Sequence, residues 1–464
     1  MTIQDRVKNR IVAVIGMARS GLAAARLIST MGGRPFVSDM KSAATLTEEI
    51  NELKTFGIEF ETGGHTDRIL RSDFVVISPG VPNEAEIVRK IDRAGIPRFS
   101  EIELASWFCR GKIIAVTGSN GKTTTTTLIG AILTRAGMNN TVCGNIGFPF
   151  SAAVGDIPSD GYAVVEVSSF QLELIEEFAP HIALILNITP DHLDRYAGFD
   201  EYRQAKYRIT DGQTRHDYLI LNADDSALER DVIATEAQKV YFSTSRELPA
   251  GVFQRGKTLV GVAGGETRSI VNVRDIKIPG PHNLQNAAAA AQAGLLLDIS
   301  PTDIAATLKS FTGVEHRLED VGTIAGIRFV NDSKATNVDA VCYALQSFRT
   351  PIYLIAGGRD KGGDFSPLIE HGRGKIKGLV LIGEARQVMF ETLGKTFATQ
   401  FADNMEEAVR KAFAETSPGD VVLLSPACAS FDMFLDYEHR GHEFKKAVDL
   451  LKNNNRAAKG SPTG

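Results

Sequence analysis

The residues best suited to chemistry stand in Thr117-Gly118-Ser119-Asn120-Gly121-Lys122-Thr123. They lie between the apolar run IIAV at 113–116 and an apolar-periodic helix closed by Gly137. Glycines let backbone N–H groups approach phosphate oxygens, and a helix N-terminus adds a favourable dipole. In such a loop Lys122 can reach β- and γ-phosphates, and the Thr123 hydroxyl can ligate Mg2+. The full G-x-x-x-x-G-K-[ST] pattern is not met, because Val116 occupies the first glycine position. The spacing predicts a variant ATP-binding loop; the plainer alternative is a glycine-rich turn with a solvated lysine.

Further polar residues stand beyond this loop. Glu166 closes the run YAVVEV, and Asp191 and His192 follow IALILN. Both sites fall at the carboxyl edge of the sheet that carries Lys122, where they could face a metal held by nucleotide phosphates. Histidine is unusual there, since hard cations prefer oxygen. Taken singly, Glu166 also reads as a solvated strand-end carboxylate and His192 as a helix N-cap neighbour. Lys206, in EYRQAKYRI, reads from composition as a surface lysine.

A second glycine loop opens the chain. Gly16-Met17-Ala18-Arg19-Ser20-Gly21 follows a strand and starts a helix, and Asp39 ends the next strand. Its G-x-x-x-x-G spacing lacks the middle glycine of a dinucleotide fingerprint. A diphosphate of the UDP type fits better than NAD, because no separate hydride-transfer site is evident; a helix-packing turn is the alternative. Ser78-Pro79-Gly80-Val81-Pro82 closes another strand and could line the same crevice. In the last third, Glu315-His316-Arg317, the NDSKATN segment at 331–337, Gly357-Gly358-Arg359-Asp360-Lys361 and Ser430 of SPACASFDMF gather polar groups at strand ends. Lysine and arginine there suit carboxylate or phosphate recognition.

The elements that must position these residues are short apolar runs alternating with helix-length segments. The runs include IVAVIG, FVVIS, YLILN, IYLIAGG, LVLIG and VVLLS. Continuous rather than alternating apolarity predicts strands covered on both faces, hence α/β architecture with parallel sheets. The stretch 245–278 reads instead as antiparallel strands within or beside a second domain. Boundaries fall near 110 and 312, and KNNNRAAKGSPTG reads as a disordered tail.

Composition narrows the classes. Lys+Arg number 51 against 56 Asp+Glu, a net charge of −5, which argues against bulk attraction to nucleic acid or anionic lipid. No apolar run reaches the roughly 18 residues that suggest a membrane span. The start MTIQDRVKNR carries no apolar signal segment. Four dispersed cysteines without a CxxC pair predict neither a disulfide framework nor a zinc site, and point to the cytoplasm.

Together TGSNGKT, EVSSFQL, NITPDHLDRY, the AAK-type lysine, PGPHNLQN, EHR, NDSKATN, GGRDKG and SPACASFD resemble the Mur ligase family of peptidoglycan synthesis, over essentially the whole chain. IGMARSGLA, NDSKATN and SPACASFD look like its D-glutamate-adding branch. Folylpolyglutamate synthases are similar only in the central and C-terminal parts.

The resemblance implies three α/β domains: an N-terminal Rossmann-like UDP-sugar domain (1–110), a central P-loop-type ATPase domain (111–312) and a C-terminal Rossmann-like amino-acid domain (313–464). It implies an ATP-dependent ligase that joins D-glutamate to UDP-N-acetylmuramoyl-L-alanine through an acyl phosphate. By the same resemblance, Lys122, Glu166, His192 and Lys206 are catalytic. Thr123 and Glu166 would serve one Mg2+, and His192 with a carbamylated Lys206 a second. Gly118, Ser119, Asn120, Gly121, Lys122, Thr123, Thr124, Asn283, Asn286, Arg317 and Asp332 would contact ATP. Arg19, Ser20, Asp39, Gly80 and Asn145 are assigned to the UDP-sugar, and Lys334, Thr336, Lys361 and Ser430 to D-glutamate. A monomer that closes by hinging near 110 and 312 is expected, with neither nucleic acid nor membrane as partner. The open alternative is a nucleotide-binding regulator without ligase turnover.

Overall fold

A computed structural model describes residues 6–191, 195–228, 233–360 and 363–460, with side chains as far as 455. The described residues fold around three sheets. The first has five strands in the order Glu59–Thr62, Arg34–Asp39, Ile11–Ile15, Phe74–Ile77, Arg98–Ser100, all parallel. Strand order reverses on either side of Ile11–Ile15. The loops after Ile15, Asp39 and Ile77 therefore meet at one crevice, as expected for an open doubly wound sheet.

The second sheet has nine strands, with Lys112–Thr117 flanked by the parallel strands Tyr162–Glu166 and Ile182–Ile185. This brings the glycine-rich loop, Glu166 and the segment after Ile185 to one edge. The sheet continues through Tyr218–Asn222 and Gln238–Ser243. It ends in the antiparallel meander Gly251–Arg255, Thr258–Ala263 and Glu266–Asn272, the strands expected over 245–278. Both faces are covered, and the helix Pro281–Leu296 contributes the fully buried stretch Ala287–Ala291. Small side chains allow close backbone approach without voids.

The third sheet has six strands, with Val421–Leu424 between Ile327–Asn331 and Ile352–Gly357. An antiparallel strand, Glu319–Ile324, borders it. NDSKATN, GGRD at 357–360 and SPACASFD thus leave three adjacent strands at the same end.

By compactness the chain forms two units. The first comprises 1–190, 195–275 and 285–309, and the second 191–194, 276–284 and 310–464. The tail expectation is corrected in part, because the helix Tyr437–Gly460 runs through the KNNNRAAKG part of KNNNRAAKGSPTG. Lysine, arginine and alanine are good helix formers, so polar composition did not prevent the helix from continuing. No helix among the described residues is long and apolar enough to cross a membrane.

Candidate active site

After Thr117 the chain turns through Gly118 at φ +149° and Gly121 at φ +85°, backbone conformations that suit glycine. A Cβ at Gly121 would stand 2.3 Å from Oδ1 of Asn286, so glycine also admits the neighbouring helix. The helix Lys122–Arg135 starts with Gly121 as its N-cap, and its first turn has N–H groups without intrahelical partners.

Lys122 folds back over the loop, its Nζ donating to the carbonyls of Gly118 at 2.8 Å and Ser119 at 2.9 Å. Lys206, on the helix Phe199–Tyr207, is 2% exposed, far from the surface lysine that composition suggests. Its Nζ donates to the same Gly118 carbonyl at 3.0 Å and lies 4.5 Å from the centroid of the Tyr202 ring. Two cationic side chains thus converge on one carbonyl oxygen. Like charges so close favour any anion that enters the loop.

The back of the loop is strapped to the next strand end. Asn187 accepts from the Asn120 N–H at 2.8 Å and donates to the Asn120 carbonyl at 3.0 Å. The Ser119 hydroxyl donates to the Thr189 carbonyl at 2.9 Å, accepts from the Thr189 N–H at 2.9 Å, and meets the Tyr202 hydroxyl at 3.0 Å. Nδ2 of Asn120 and Oγ1 of Thr124 are buried without a hydrogen-bond partner among the described residues. Such atoms normally find partners, so a polar ligand at this loop would satisfy them.

Glu166 lies level with Val116 on the adjoining strand and is 1% exposed. Its Oε1 accepts from Nδ2 of Asn145 at 3.2 Å, and its carbonyl accepts from the Asn145 N–H at 2.9 Å. Asn145, assigned in sequence to the UDP-sugar, therefore sits against the carboxylate of the phosphate side. Thr123 is buried in the first helical turn, and Asn286 accepts from the Thr125 hydroxyl at 3.3 Å. A hard cation takes oxygen ligands, and a buried carboxylate with a first-turn threonine hydroxyl fits that donor set. An unmodified ammonium at Lys206 does not. His192 and Lys361 lie outside the described residues.

At the first sheet, Gly16 has φ +97°, and a Cβ on Gly21 would stand 1.9 Å from the Gly16 carbonyl. Gly21 is thus fixed by the packing of helix on loop. Asp39 turns inward on the same loop, accepting from the Met17 N–H at 2.7 Å and the Lys41 N–H at 2.8 Å. Arg19 and Ser20 open the helix Arg19–Thr30, with Arg19 exposed. Gly80 is exposed, and open space surrounds the position of its missing Cβ.

In the second compact unit, Asp332 is 4% exposed, accepting from the Leu318 N–H at 3.2 Å and the Ser425 hydroxyl at 2.8 Å. Burial pushes its carboxyl up to about 6, against the opposing pull of Arg317. Burial, reinforced by Arg317, pushes His282 down to about 3, so its ring is neutral at pH 7. Asn283 donates to the Pro279 carbonyl at 2.7 Å. Lys334 meets the Tyr437 hydroxyl at 3.3 Å, and the Thr336 N–H donates to the Lys334 carbonyl at 2.9 Å. Ser430 is buried, and its carbonyl accepts from the Phe434 N–H at 2.9 Å.

Sequence reasoning missed Asn187, Tyr202 and Arg440. Arg440 is fully buried, and its guanidinium joins two strand-end loops. It donates to the Ser333 hydroxyl at 3.0 Å, the Ser333 carbonyl at 2.8 Å and the Cys428 carbonyl at 3.1 Å. Burial holds it down to about 10. Arginine is mostly exposed in folded proteins, so residue type alone gave no sign of its burial.

Comparison with known proteins bears on the whole chain. Residues 12–87 match the MurD N-terminal domain, 116–294 the Mur ligase middle domain and 316–428 the Mur ligase glutamate ligase domain. A UDP-N-acetylmuramoylalanine–D-glutamate ligase of Alkaliphilus metalliredigens is 42% identical over 96% of this chain and 99% of its own. One of Acidobacterium capsulatum is 45% identical over 95% and 96%. Among solved structures, MurF of Acinetobacter baumannii has a TM-score of 0.63 at 18% identity, covering 96% of this chain and 98% of its own. UDP-N-acetylmuramate-alanine ligase MurC of Thermotoga maritima has a TM-score of 0.62 at 18% identity, with 96% and 100% covered.

Proposed function

The chain belongs to the Mur ligase family, and from that premise we propose how its residues carry the reaction of the D-glutamate-adding members. The protein is an ATP-dependent ligase that adds D-glutamate to UDP-N-acetylmuramoyl-L-alanine in peptidoglycan precursor synthesis, forming ADP. The convergence of Lys122 and Lys206 on the Gly118 carbonyl, in a loop with buried polar atoms to spare, carries this reading.

The terminal carboxylate of the L-alanyl group attacks the γ-phosphorus of ATP. The bond to the β-bridging oxygen breaks, and ADP leaves. Lys122 moves from the loop carbonyls to the transferring phosphoryl group, whose charge it offsets; positioning and electrostatics supply most of the catalysis in such transfers. The amine of D-glutamate then attacks the acyl phosphate, and the tetrahedral intermediate expels phosphate. Lys334, Thr336, Lys361 and Ser430 bind the amino acid, and Arg317, Asp332, Asn283 and Asn286 complete the ATP contacts.

Family members require Mg2+. Here Thr123 and Glu166 would hold one ion, which supplies charge neutralisation at the phosphates. His192 and Lys206 would hold a second once Lys206 is carbamylated. In that modification the Nζ ammonium loses two protons and bonds to the carbon of CO2, so a cation becomes an oxygen-bearing anion. We place the enzyme in the cytoplasm as a monomer, with the domain limits near 110 and 312.

The direct test is phosphate release with ATP, Mg2+, UDP-N-acetylmuramoyl-L-alanine and D-glutamate. Turnover is expected; its absence, or turnover only with another amino acid, would overturn the reading. Lys206→Ala should abolish turnover, with partial recovery in acetate. Near-normal activity of that variant would remove Lys206 from the metal site.

A further inference from the structure

Arg195 follows NITPDHLD in sequence, yet its guanidinium reaches the first sheet. Nη1 donates to the Pro79 carbonyl at 2.9 Å, and Nη2 to the Val81 carbonyl at 3.5 Å. The group lies over Phe170, 3.9 Å from the ring centroid, and its Nη2 is 3.9 Å from Oε2 of Glu173. Glu173 extends the seam. Its Oε2 accepts from Nδ2 of Asn83 at 2.6 Å, and its Oε1 accepts from the Tyr196 hydroxyl. Asn83 in turn accepts from Nη1 of Arg98 at 3.3 Å. Arg208 pins the carbonyls of Glu173 and Ile175, and the Ser100 N–H donates to the Leu174 carbonyl at 2.9 Å.

These contacts join two functional stretches. Pro79–Asn83 leaves the strand Phe74–Ile77 at the crevice of the first sheet. Phe170 and Glu173 follow within seven residues of Glu166, which lies level with Val116 just before the phosphate loop. The crevice loop has little to fix it from within. Its prolines lack N–H groups, Gly80 faces open space, and its internal bonds are turns such as Val81 N–H to the Ser78 carbonyl at 3.0 Å.

We infer that Arg195 and Glu173 are positioning residues for the sugar nucleotide. They hold the 78–83 loop of the first sheet in register with the phosphate site, so that a long substrate anchored at the crevice presents its carboxylate to ATP. The inference rests on the ligase reading for the identity of that substrate. Arg195 is suited to the role because a planar guanidinium can stack on Phe170 and donate to two carbonyls at once, which lysine cannot.

The test is Arg195→Met, which keeps an apolar stem over Phe170 and removes the donors. The KM for UDP-N-acetylmuramoyl-L-alanine should rise roughly tenfold or more, the scale of a lost charge-assisted hydrogen bond. ATP affinity should stay within about twofold, since positioning acts on one substrate. Arg195→Lys should recover only part of the loss. Without any substrate, backbone amides of 78–85 should exchange faster in Arg195→Met than in the wild type. Unchanged exchange together with an unchanged KM, or equal weakening of both substrates, would overturn the inference. If Arg195→Met does not fold, Glu173→Gln is read in the same way, and normal exchange and KM there would overturn it. Amide exchange needs no turnover, so it decides the latch even if the wild type proves inactive with D-glutamate, the result that would sink the ligase reading instead.

Discussion

After Ile15 the chain turns through Gly16 into the helix Arg19–Thr30, and after Thr117 it turns through Gly118 and Gly121 into the helix Lys122–Arg135. Both turns leave a strand where the order of a doubly wound sheet reverses. They are closed by opposite charges. At the second turn a lysine lies over the loop carbonyls, 2.8 and 2.9 Å away. At the first a carboxylate, Asp39, takes the N–H of Met17 at 2.7 Å. A lysine on carbonyls can transfer to incoming phosphates, and the N–H groups of the first helical turn face them. A carboxylate on an N–H has already used one donor of its loop. One backbone motif therefore supports two kinds of recognition, and the sign of the closing side chain selects between them.

The comparison breaks first at Lys122. Lys122→Met should lower kcat/KM by roughly a thousandfold or more, because the lost charge acts on the transferring phosphoryl group. UDP-sugar binding, measured by calorimetry without ATP, should be retained. A small loss of turnover would mean that the lysine merely closes the loop.

The glycines sharpen the comparison next. Gly21→Ala puts a methyl group 1.9 Å from the Gly16 carbonyl, a backbone atom that cannot step aside. Denaturant unfolding should show a loss of roughly 1–3 kcal/mol or more, as for other overpacked sites. Gly80→Ala, where nothing stands near the new methyl group, should be within about 0.5 kcal/mol of the wild type, as most surface changes are. Equal stability of the two variants would show that the first loop is not fixed by helix packing.

Acid should distinguish the two loops by the smallest effect. Glu61 accepts from Ser38, beside Asp39, and from Thr66; burial works to raise its carboxyl, but these hydrogen bonds outweigh it and hold it below the ordinary 4.5. His65, against Ser38, is held below 6.5 by burial, opposed by the charges of Glu61 and Asp39. Both groups take up protons more readily unfolded than folded, so stability falls with pH: for His65 as pH drops below about 6.5, for Glu61 below about 4.5. Amides of Arg34–Asp39 and Glu59–Thr62 should lose exchange protection over that range before those of Lys112–Thr117. Simultaneous loss in both sheets would remove the local cause.

Some of the site was legible because its determinants are local. Glycines at a strand end, followed by lysine and threonine at a helix start, specify a phosphate loop wherever they occur, and continuous apolar runs specify covered parallel strands. Other parts were legible only through resemblance. Composition makes Lys206 a surface lysine, and it is buried because its helix packs across the phosphate loop. The end of the 437–460 helix shows the opposite failure, in which a polar sequence from 452 suggested disorder where a helix anchored by buried Phe444, Ala447 and Val448 continues.

The sequence by itself determined the architecture, the phosphate loop and the class of chemistry, since each depends on residue type and near spacing. Only the tertiary structure decided which side chains close the loops. Asp39 meets Met17, Asn145 meets Glu166, Arg195 meets Pro79, and Arg440 joins Ser333 to Cys428. Each pair is distant in sequence and is brought together by packing; only the Arg440 bonds are fully buried. Which charge ends up buried beside which carbonyl depends on how sheets and helices pack, a many-residue property that no short motif contains.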